Sequence, residues 1–463
     1  IADKWEFSPD NLTCTFTLRD GVKFQDVAPV SGRAVDIDDI KFSWGRLTAP
    51  ESQNAIQVNY VDRVEFPDPK TVKFTLKEPN AGFLDNMADT NLLFVMPKEA
   101  DGGFDPAKQM IGSGPWKMDS YRQSSSFQFS KNPDWYMAGF PFFDKVEIAI
   151  SPTYANRKAQ FVAGNIDSTD LSSDDVTDIK KQNDKIQLYH EIAQLLSWFY
   201  FDKTPDAPWN KDPRVRIAIS RGIDRDALTE LAYNLKRLQD AGFDVKGPWN
   251  NAMPAGFTRW WLDPQSKEQG PTAENFVYDV GEAKKLLSAA GYPDGFSAKY
   301  QYPGVVYGSD FQSIAQANIQ FLNAIGIKTT TDVQNYQSVY IPQTYTGKFD
   351  GIAFGGETPF PEGGGYPIRE FTPNPLNHGN VADPKLQQLA MAQQREMDEA
   401  KRKQLFNEIQ QRNAEIMGYV PNQWAAGPRW TGYREWIHNA VEIRTIGYGQ
   451  GTEQVPFMWT DKA

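Results

Sequence analysis

Leu195 to Leu228 reads LLSWFYFDKTPDAPWNKDPRVRIAISRGIDRDAL, and the remainder of the chain is organised about it. Its first seven residues, Leu195 to Phe201, hold one polar side chain and a run of aromatics, which predicts a strand buried on both faces. Pro205, Pro208 and Pro213 stop that strand, because proline cannot donate to a sheet ladder. Asp212 stands as a helix N-cap with Pro213 at the first helical position, and Asp224 repeats the device. Between the caps, Val215, Ile217, Ala218 and Ile219 give a helix too short to stand alone, so it must pack on both sides. The stretch predicts a hinge.

Before the hinge, Trp5 to Leu18 and Thr71 to Leu76 alternate apolar and polar residues at period two, with Asn11 and Asp68-Pro69 as turns. These predict hairpins. Asp36 to Leu47 carries acidic residues ahead of Ile37, Ile40, Phe42 and Trp44, the signature of a helix flanking a sheet. Asn156 to Gly164 and Ser172 to Lys181 predict short helices, and Ile186 to Ile192 a strand leading to the hinge. After it, Gly281 to Ala290 and Phe311 to Ile325 have helical spacing, with Gly291 and Gly326 placed for left-handed C-terminal turns. Strand signals at Ser297 to Tyr302, Lys328 to Val333 and Gly351 to Phe354 alternate with them, predicting an α/β unit with partly parallel strands. Lys385 to Met417 is the longest helical region, Pro421 marks its exit, and Asn422 to Trp430 returns the chain across the hinge. The expected division is a subdivided first lobe of 1–202 plus 422–463 and a second lobe of 203–421, joined by two crossings that permit closure.

At 463 residues with 40% hydrophobic content, the chain can bury sizeable cores. A net charge of −11 and a pI near 5.0 argue against a nucleic-acid partner, since no window supplies clustered Lys and Arg. No apolar run approaches the roughly 18 residues of a membrane span. The start shows no charged segment followed by an apolar one, so the chain reads as already processed or truncated. Cys14, alone in a strand-like TCTFTL, reads as a small buried hydrophobe.

Motifs for chemistry are sparse. His190, His378 and His438 lack ligand spacing, which leaves a metal site and a cofactor unsupported. Gly112-Ser113-Gly114-Pro115 and Gly363-Gly364-Gly365 resemble phosphate cradles but read as turns, the second with no helix signal behind it. No nucleophile elbow, H-E-x-x-H or P-loop is present, and 59 carboxylates nominate no catalytic pair by spacing. A catalytic role is therefore not expected. What stands out is 13 tryptophans, several of them in loops. Trp198 and Tyr200 on the hinge strand, Trp249 and Trp260 in a Gly/Pro-rich excursion, and Trp424 on the return crossing form a candidate ligand surface, because ligand sites favour lobe interfaces. The loop Phe354-Gly355-Gly356-Glu357-Thr358-Pro359 is the second candidate, its paired glycines allowing a ligand close to backbone amides.

Five phrases occur in one order: WEFSPDNLTCTFTLRDGVKFQD (5–26), GSGPWKMDSY with KNPDWY (112–136), DPRVRIAISRGIDRDALTELAY (212–233), YDVGEAKKLLSAAGYPDGF (278–296) and NHGNVADPKLQQLA (377–390). Together they resemble the extracellular solute-binding proteins of ABC importers, specifically the oligopeptide-, dipeptide- and nickel-type family 5. That resemblance implies a two-lobed periplasmic-binding-protein-like (type II) α/β fold with a large first lobe and a ligand cleft between lobes. It also implies a monomer, a membrane permease as partner, and a place in the periplasm or outside the cell, with or without a lipid anchor. Family members carry a first-lobe strand and several tens of residues before that phrase, whereas only Ile1 to Lys4 precede it here, so the resemblance implies either a further segment ahead of it or an incomplete first lobe. In the resembling peptide binders an aspartate just past the second-lobe strand pairs with the ligand's ammonium; here Thr358 and Pro359 stand there, flanked by Glu357 and Glu362. Glu357 is the expected substitute. Without it the solute would be an oligosaccharide or another neutral compound, and a hydrolase acting on such ligands is the remaining alternative. Trp198, Trp424 and Glu357 are expected to face one cleft.

Overall fold

The apolar run from Leu195 to Phe201 forms a strand, Ser197–Phe201, every residue of which is buried, as a strand covered on both faces requires. The computed structural model describes residues 1–440 and 452–462 apart from 53, 90, 91, 358, 375 and 380, so Thr358 and residues 441–451 of the expected first lobe lie outside the described residues.

In chain order, β1 (Ala2–Phe7), β2 (Thr13–Leu18), β3 (Val61–Asp68) and β4 (Thr71–Leu76) form an antiparallel sheet ordered β1-β2-β4-β3. Asn11 takes the left-handed conformation (φ 58°) in the first hairpin turn, a position that asparagine tolerates. Helix α1 (Ile37–Thr48) is capped by Asp36, whose carboxylate accepts from the amides of Asp38 and Asp39. It lays Ile40 and Trp44 against Phe74, the last two rings 5.2 Å apart. Cys14 lies fully buried beneath this helix, and burial raises its thiol to about 12, so it packs as the expected small hydrophobe. Helix α2 (Phe83–Met87) follows. A three-stranded meander comes next, β5 (Trp116–Arg122), β6 (Ser126–Lys131) and β7 (Lys145–Ala149). Then come β8 (Ser168–Leu171) and β9 (Gln187–Ile192).

The hinge strand β10 (Ser197–Phe201) leads into α3 (Pro213–Arg221) and α4 (Arg225–Tyr233), capped by Asp212 and Asp224 as their sequence predicts. Beyond them lie α5 (Val280–Ala289), β11 (Phe296–Pro303), α6 (Ser309–Ala324), β12 (Ile327–Gln334) and β13 (Ile352–Gly356). Gly291 and Gly326 follow α5 and α6 with φ of 95° and 101°, the left-handed turns expected of them. Helix α7 (Gly365–Phe371) begins at the third glycine of Gly363-Gly364-Gly365, where the sequence shows no start signal. The long helical region is two helices, α8 (Pro384–Arg395) and α9 (Glu399–Ile416), because Asp398 starts the second with its own cap. The chain returns through β14 (Val420–Pro421) and β15 (Pro428–Tyr433).

The five-stranded sheet is ordered β12-β11-β13-β10-β14, with β11 parallel to β12 and β13, and β10 antiparallel to β13 and β14. Strand β15 sits between β8 and β9 in the first lobe. Strand β10 bonds into the five-stranded sheet between β13 and β14, so a boundary at 202 would sever β10 from the strands it pairs with. Among the described residues no helix is long and apolar enough to cross a membrane.

Candidate functional site

Period two along β10 and β13 sorts their side chains onto two faces. Phe199, Phe201, Ile352 and Phe354 join α3, α5 and α6 in one core, whereas Trp198, Tyr200 and Ala353 join α7, α8 and α9 in another. Trp424 packs in the first core, its ring centroid 5.3 Å from Phe311, while Trp198 leans on Tyr419 at 4.6 Å in the second. The expectation that Trp198, Trp424 and Glu357 face one cleft is therefore corrected: the sheet stands between the two indoles. Burial corrects several neighbours as well. Trp198, Tyr200 and Phe354 are at most 1% exposed, and Trp249 packs in the first core with its Nε1 donating to Asp226 at 2.7 Å. The close approach that Gly355 and Gly356 permit is taken by side chains rather than left for a ligand. A Cβ on Gly355 would lie 1.7 Å from Tyr340 Oη, and one on Gly356 would lie 2.5 Å from Trp424 Cζ3.

Glu357 follows Gly356 onto the Trp198 face and is buried there. Its Oε1 accepts from Tyr345 Oη at 2.6 Å and from Arg369 Nη1 at 2.8 Å. Burial is the strongest single influence and pushes its carboxyl up, but Arg369, His378 and hydrogen bonds from Glu370 and Tyr345 together hold it below the ordinary value. Glu370, next along α7 and equally buried, goes the other way: burial and then the Glu357 charge push its carboxyl well above the ordinary value, keeping it a neutral acid. His378 is lowered to about 4 by burial and is neutral at pH 7. One ligand atom each from Glu357, Glu370 and His378 lies within 4.8 Å of the others, a grouping that the spacing of histidines alone conceals. Arg369 already supplies the positive charge that the one ionised carboxylate requires, so the group is electrically complete without a cation. Glu357 is accordingly a structural anion that ties the loop after β13 to α7.

The open space lies elsewhere. A cleft of about 850 Å³ runs between α2 of the first lobe, the crossing at Glu191 to Gln194, the excursion 246–265 and the loop at 361–363. Asp85, Arg259, Trp260, Trp261 and Glu362 are on its wall. Trp260, alone among the nine expected site residues, reaches it, with its ring stacked on Phe406 at 4.7 Å and beneath Arg402. Both lobes touch around the cleft. The Ala81 amide donates to Gln394 O at 2.8 Å, and Arg395 pairs with Glu78. Asp85 and Arg259 escaped the sequence reading because a lone charge in a short helix or loop has no periodic pattern to mark it. Glu362 was visible as a flanking carboxylate.

Two α/β lobes joined by two crossings around a cleft are the architecture of periplasmic binding proteins, and comparison with known proteins agrees. The profile of the bacterial extracellular solute-binding proteins, family 5 Middle, matches residues 1–375, and the chain belongs to that family. Heme-binding protein A of Haemophilus influenzae is 26% identical over 353 residues, covering 71% of this chain and 60% of that protein. Glutathione-binding protein GsiB of Salmonella typhi is 28% identical over 339 residues, covering 71% and 59%. The chain thus spans about 60% of the length of the curated relatives it matches. Among solved structures, the binding protein AgaA of A. tumefaciens R10 with agropinic acid superposes with a TM-score of 0.81 at 24% identity, covering 100% of this chain and 89% of that one. DppA of Helicobacter pylori with the peptide STSA gives 0.76 at 21% identity, with the same coverage.

Proposed function

We propose that this chain captures a solute in the cleft between its lobes and delivers it to the membrane permease of an ABC importer, doing no chemistry on it. The observation that carries this reading is the cleft's position, walled by both lobes beside both crossings, so that its occupant is enclosed when the lobes meet. Family membership supports it. Of the buried carboxylates, Glu357 is engaged by Arg369 and one oxygen of Glu362 by Arg402. Such a role places the protein outside the cytoplasm, in the periplasm or held at the membrane surface by a lipid anchor, and it works as a monomer with lobes of 1–196 plus 422–463 and 197–421.

Peptide is the solute class that the cleft favours. Its wall carries Asp85, Glu191, Asp263 and Glu362 with Lys246 and Arg259, charges suited to a zwitterion rather than a neutral sugar. Two of the relatives' named solutes, glutathione and the peptide STSA, are of this kind. Adjacent indoles at Trp260 and Trp261 carry the second reading, an oligosaccharide stacked on them. Small-angle scattering on the full chain, with and without a mixture of short peptides, tests the function: the expected result is compaction on adding peptide. Turnover of a peptide by the isolated protein would refute it.

A further inference from the structure

A left-handed alanine stands where the return crossing leaves the second lobe. Ala425 has φ 69° and is buried. The Ala426 amide donates to Gln423 O at 3.0 Å, which closes a turn over residues 423–426. Positive φ falls on the third residue of that turn and not on the second, the pattern of a type II turn. Glycine is the residue such a position favours, because in the left-handed region a Cβ crowds the following carbonyl. Asn11 takes positive φ in a hairpin turn, and Asn234 and Met417 at helix ends, where it is common. Ala425 takes it between the lobes.

The second lobe grips the chain as far as this residue. Gln423 Nε2 donates to Thr229 Oγ1 at 3.1 Å and to Pro248 O at 3.2 Å. Ser197 Oγ donates to Trp424 O at 3.2 Å, and the Ala425 amide donates to Tyr233 Oη at 2.8 Å. Three residues further on, Pro428 begins β15 in the first lobe. Between them Gly427 lies on the Tyr233 ring, which leaves no room for a Cβ there. Tyr233 is also the last residue of α4. The chain past it turns through Asn234 at φ 49° and puts Leu238 and Val245 in one core with Phe161, Val176 and Trp430 of the first lobe. One buried side chain thus brackets two places where the chain passes between lobes.

We propose that Tyr233 is a positioning residue for lobe closure: its hydroxyl holds Ala425 left-handed, and that conformation sets the angle at which the return crossing enters β15. This rests on the solute-binding reading above. With the lobes in contact, as they are between Ala81 and Gln394, the turn carries the strain of a Cβ in the left-handed region, and the Tyr233 bond offsets it. Opening rotates the chain at Ala425 back to the ordinary region and gives up that bond. Closure is opposed by the Ala425 methyl and favoured by the Tyr233 hydroxyl, a balance that a solute between the lobes tips.

The test reads a distance between lobes by pulsed dipolar spectroscopy, from nitroxides on Lys77→Cys and Lys401→Cys in the full chain. Both positions are exposed, one on each lobe, and the buried Cys14 stays unlabelled. Without solute, Tyr233→Phe should shift the distribution to longer distances. Ala425→Gly should raise the ratio of short to long distances about fivefold, the change expected when a left-handed residue loses its Cβ. The two together should return towards the parent, a rescue that a merely structural role for Tyr233 would not give. The parent's distribution in Tyr233→Phe, or longer distances in both single variants, overturns the assignment. If Tyr233→Phe melts too low to assay, Ala425→Gly decides, and an unchanged ratio there overturns it. A mixture of tripeptides is added last. Shortening in the parent supports the solute reading beneath; no shortening refutes the peptide reading, while the distances without solute still decide the hinge.

Discussion

Replacing Arg369 with Met removes the guanidinium that pairs with the buried Glu357 and leaves a shape of similar length. Tyr345, a neutral hydroxyl at 2.6 Å, still donates to that oxygen. Breaking a buried ion pair by deleting one partner costs about 3–5 kcal/mol, because an uncompensated charge stays behind. At about 2–4 °C per kcal/mol for a unit of 150–250 residues, the melting temperature should fall by about 6–20 °C. The loss should depend on pH. In the parent, Arg369 is the largest of the influences that together offset the upward pull of burial, so removing it should let burial raise the Glu357 carboxyl. An acid raised in the folded state is stabilised below its unfolded value, and that stability is lost as pH rises through the folded value. Circular dichroism melts should therefore show a smaller deficit at pH 5 than at pH 8. The double variant Arg369→Met with Glu357→Gln should recover much of the loss by removing the stranded charge. A single variant melting within about 2 °C of the parent, or a double variant no better than the single, would refute this account of the cluster.

Glu370→Gln keeps the shape of the neutral acid and removes its titration. Since the parent loses stability as pH rises from the ordinary glutamate value through the raised one, the variant should melt higher than the parent at pH 8 and alike at pH 4; parallel curves across that range would count against a neutral Glu370. Trp198→Ala should cost about 3–5 kcal/mol of stability by emptying a fully buried site, with ligand affinity of the folded protein unchanged. Calorimetry showing lost affinity at an unchanged melting temperature would return Trp198 to the binding site. Gly355→Ala should destabilise by about 1–3 kcal/mol in urea titration, since its methyl meets the Tyr340 hydroxyl; a neutral effect would mean that the strand yields there.

The hinge was legible in sequence because its signals are local: an unbroken apolar run, three prolines and two aspartate caps specify a strand and two helix starts without knowledge of distant residues. The two-lobe plan was legible for the same reason, as alternation of helix and strand. The site was not. Parity along β10 already separates Trp198 from Phe199, but which face meets the return crossing depends on how β14 and the segment after it lie, and Trp424 fell on the opposite side. Glu357 looked free because its partner Arg369 lies twelve residues on, across a loop whose path is fixed by tertiary packing. Carboxylates matter here by what surrounds them, and spacing in sequence does not report that.

Strand β15 is the middle strand of its sheet, with β8 on one side and β9 on the other, yet it is made more than two hundred residues after both. As the chain leaves the ribosome, β8 and β9 wait side by side with the gap between them empty until residue 433 emerges, while everything from β10 to β14 can already close on itself. Assembly order is thus inverted for this one sheet: strands made before the middle of the chain are joined only after that middle can close. That interval leaves two strand edges bare, which gives chaperones a place to hold the nascent protein and aggregation a place to start.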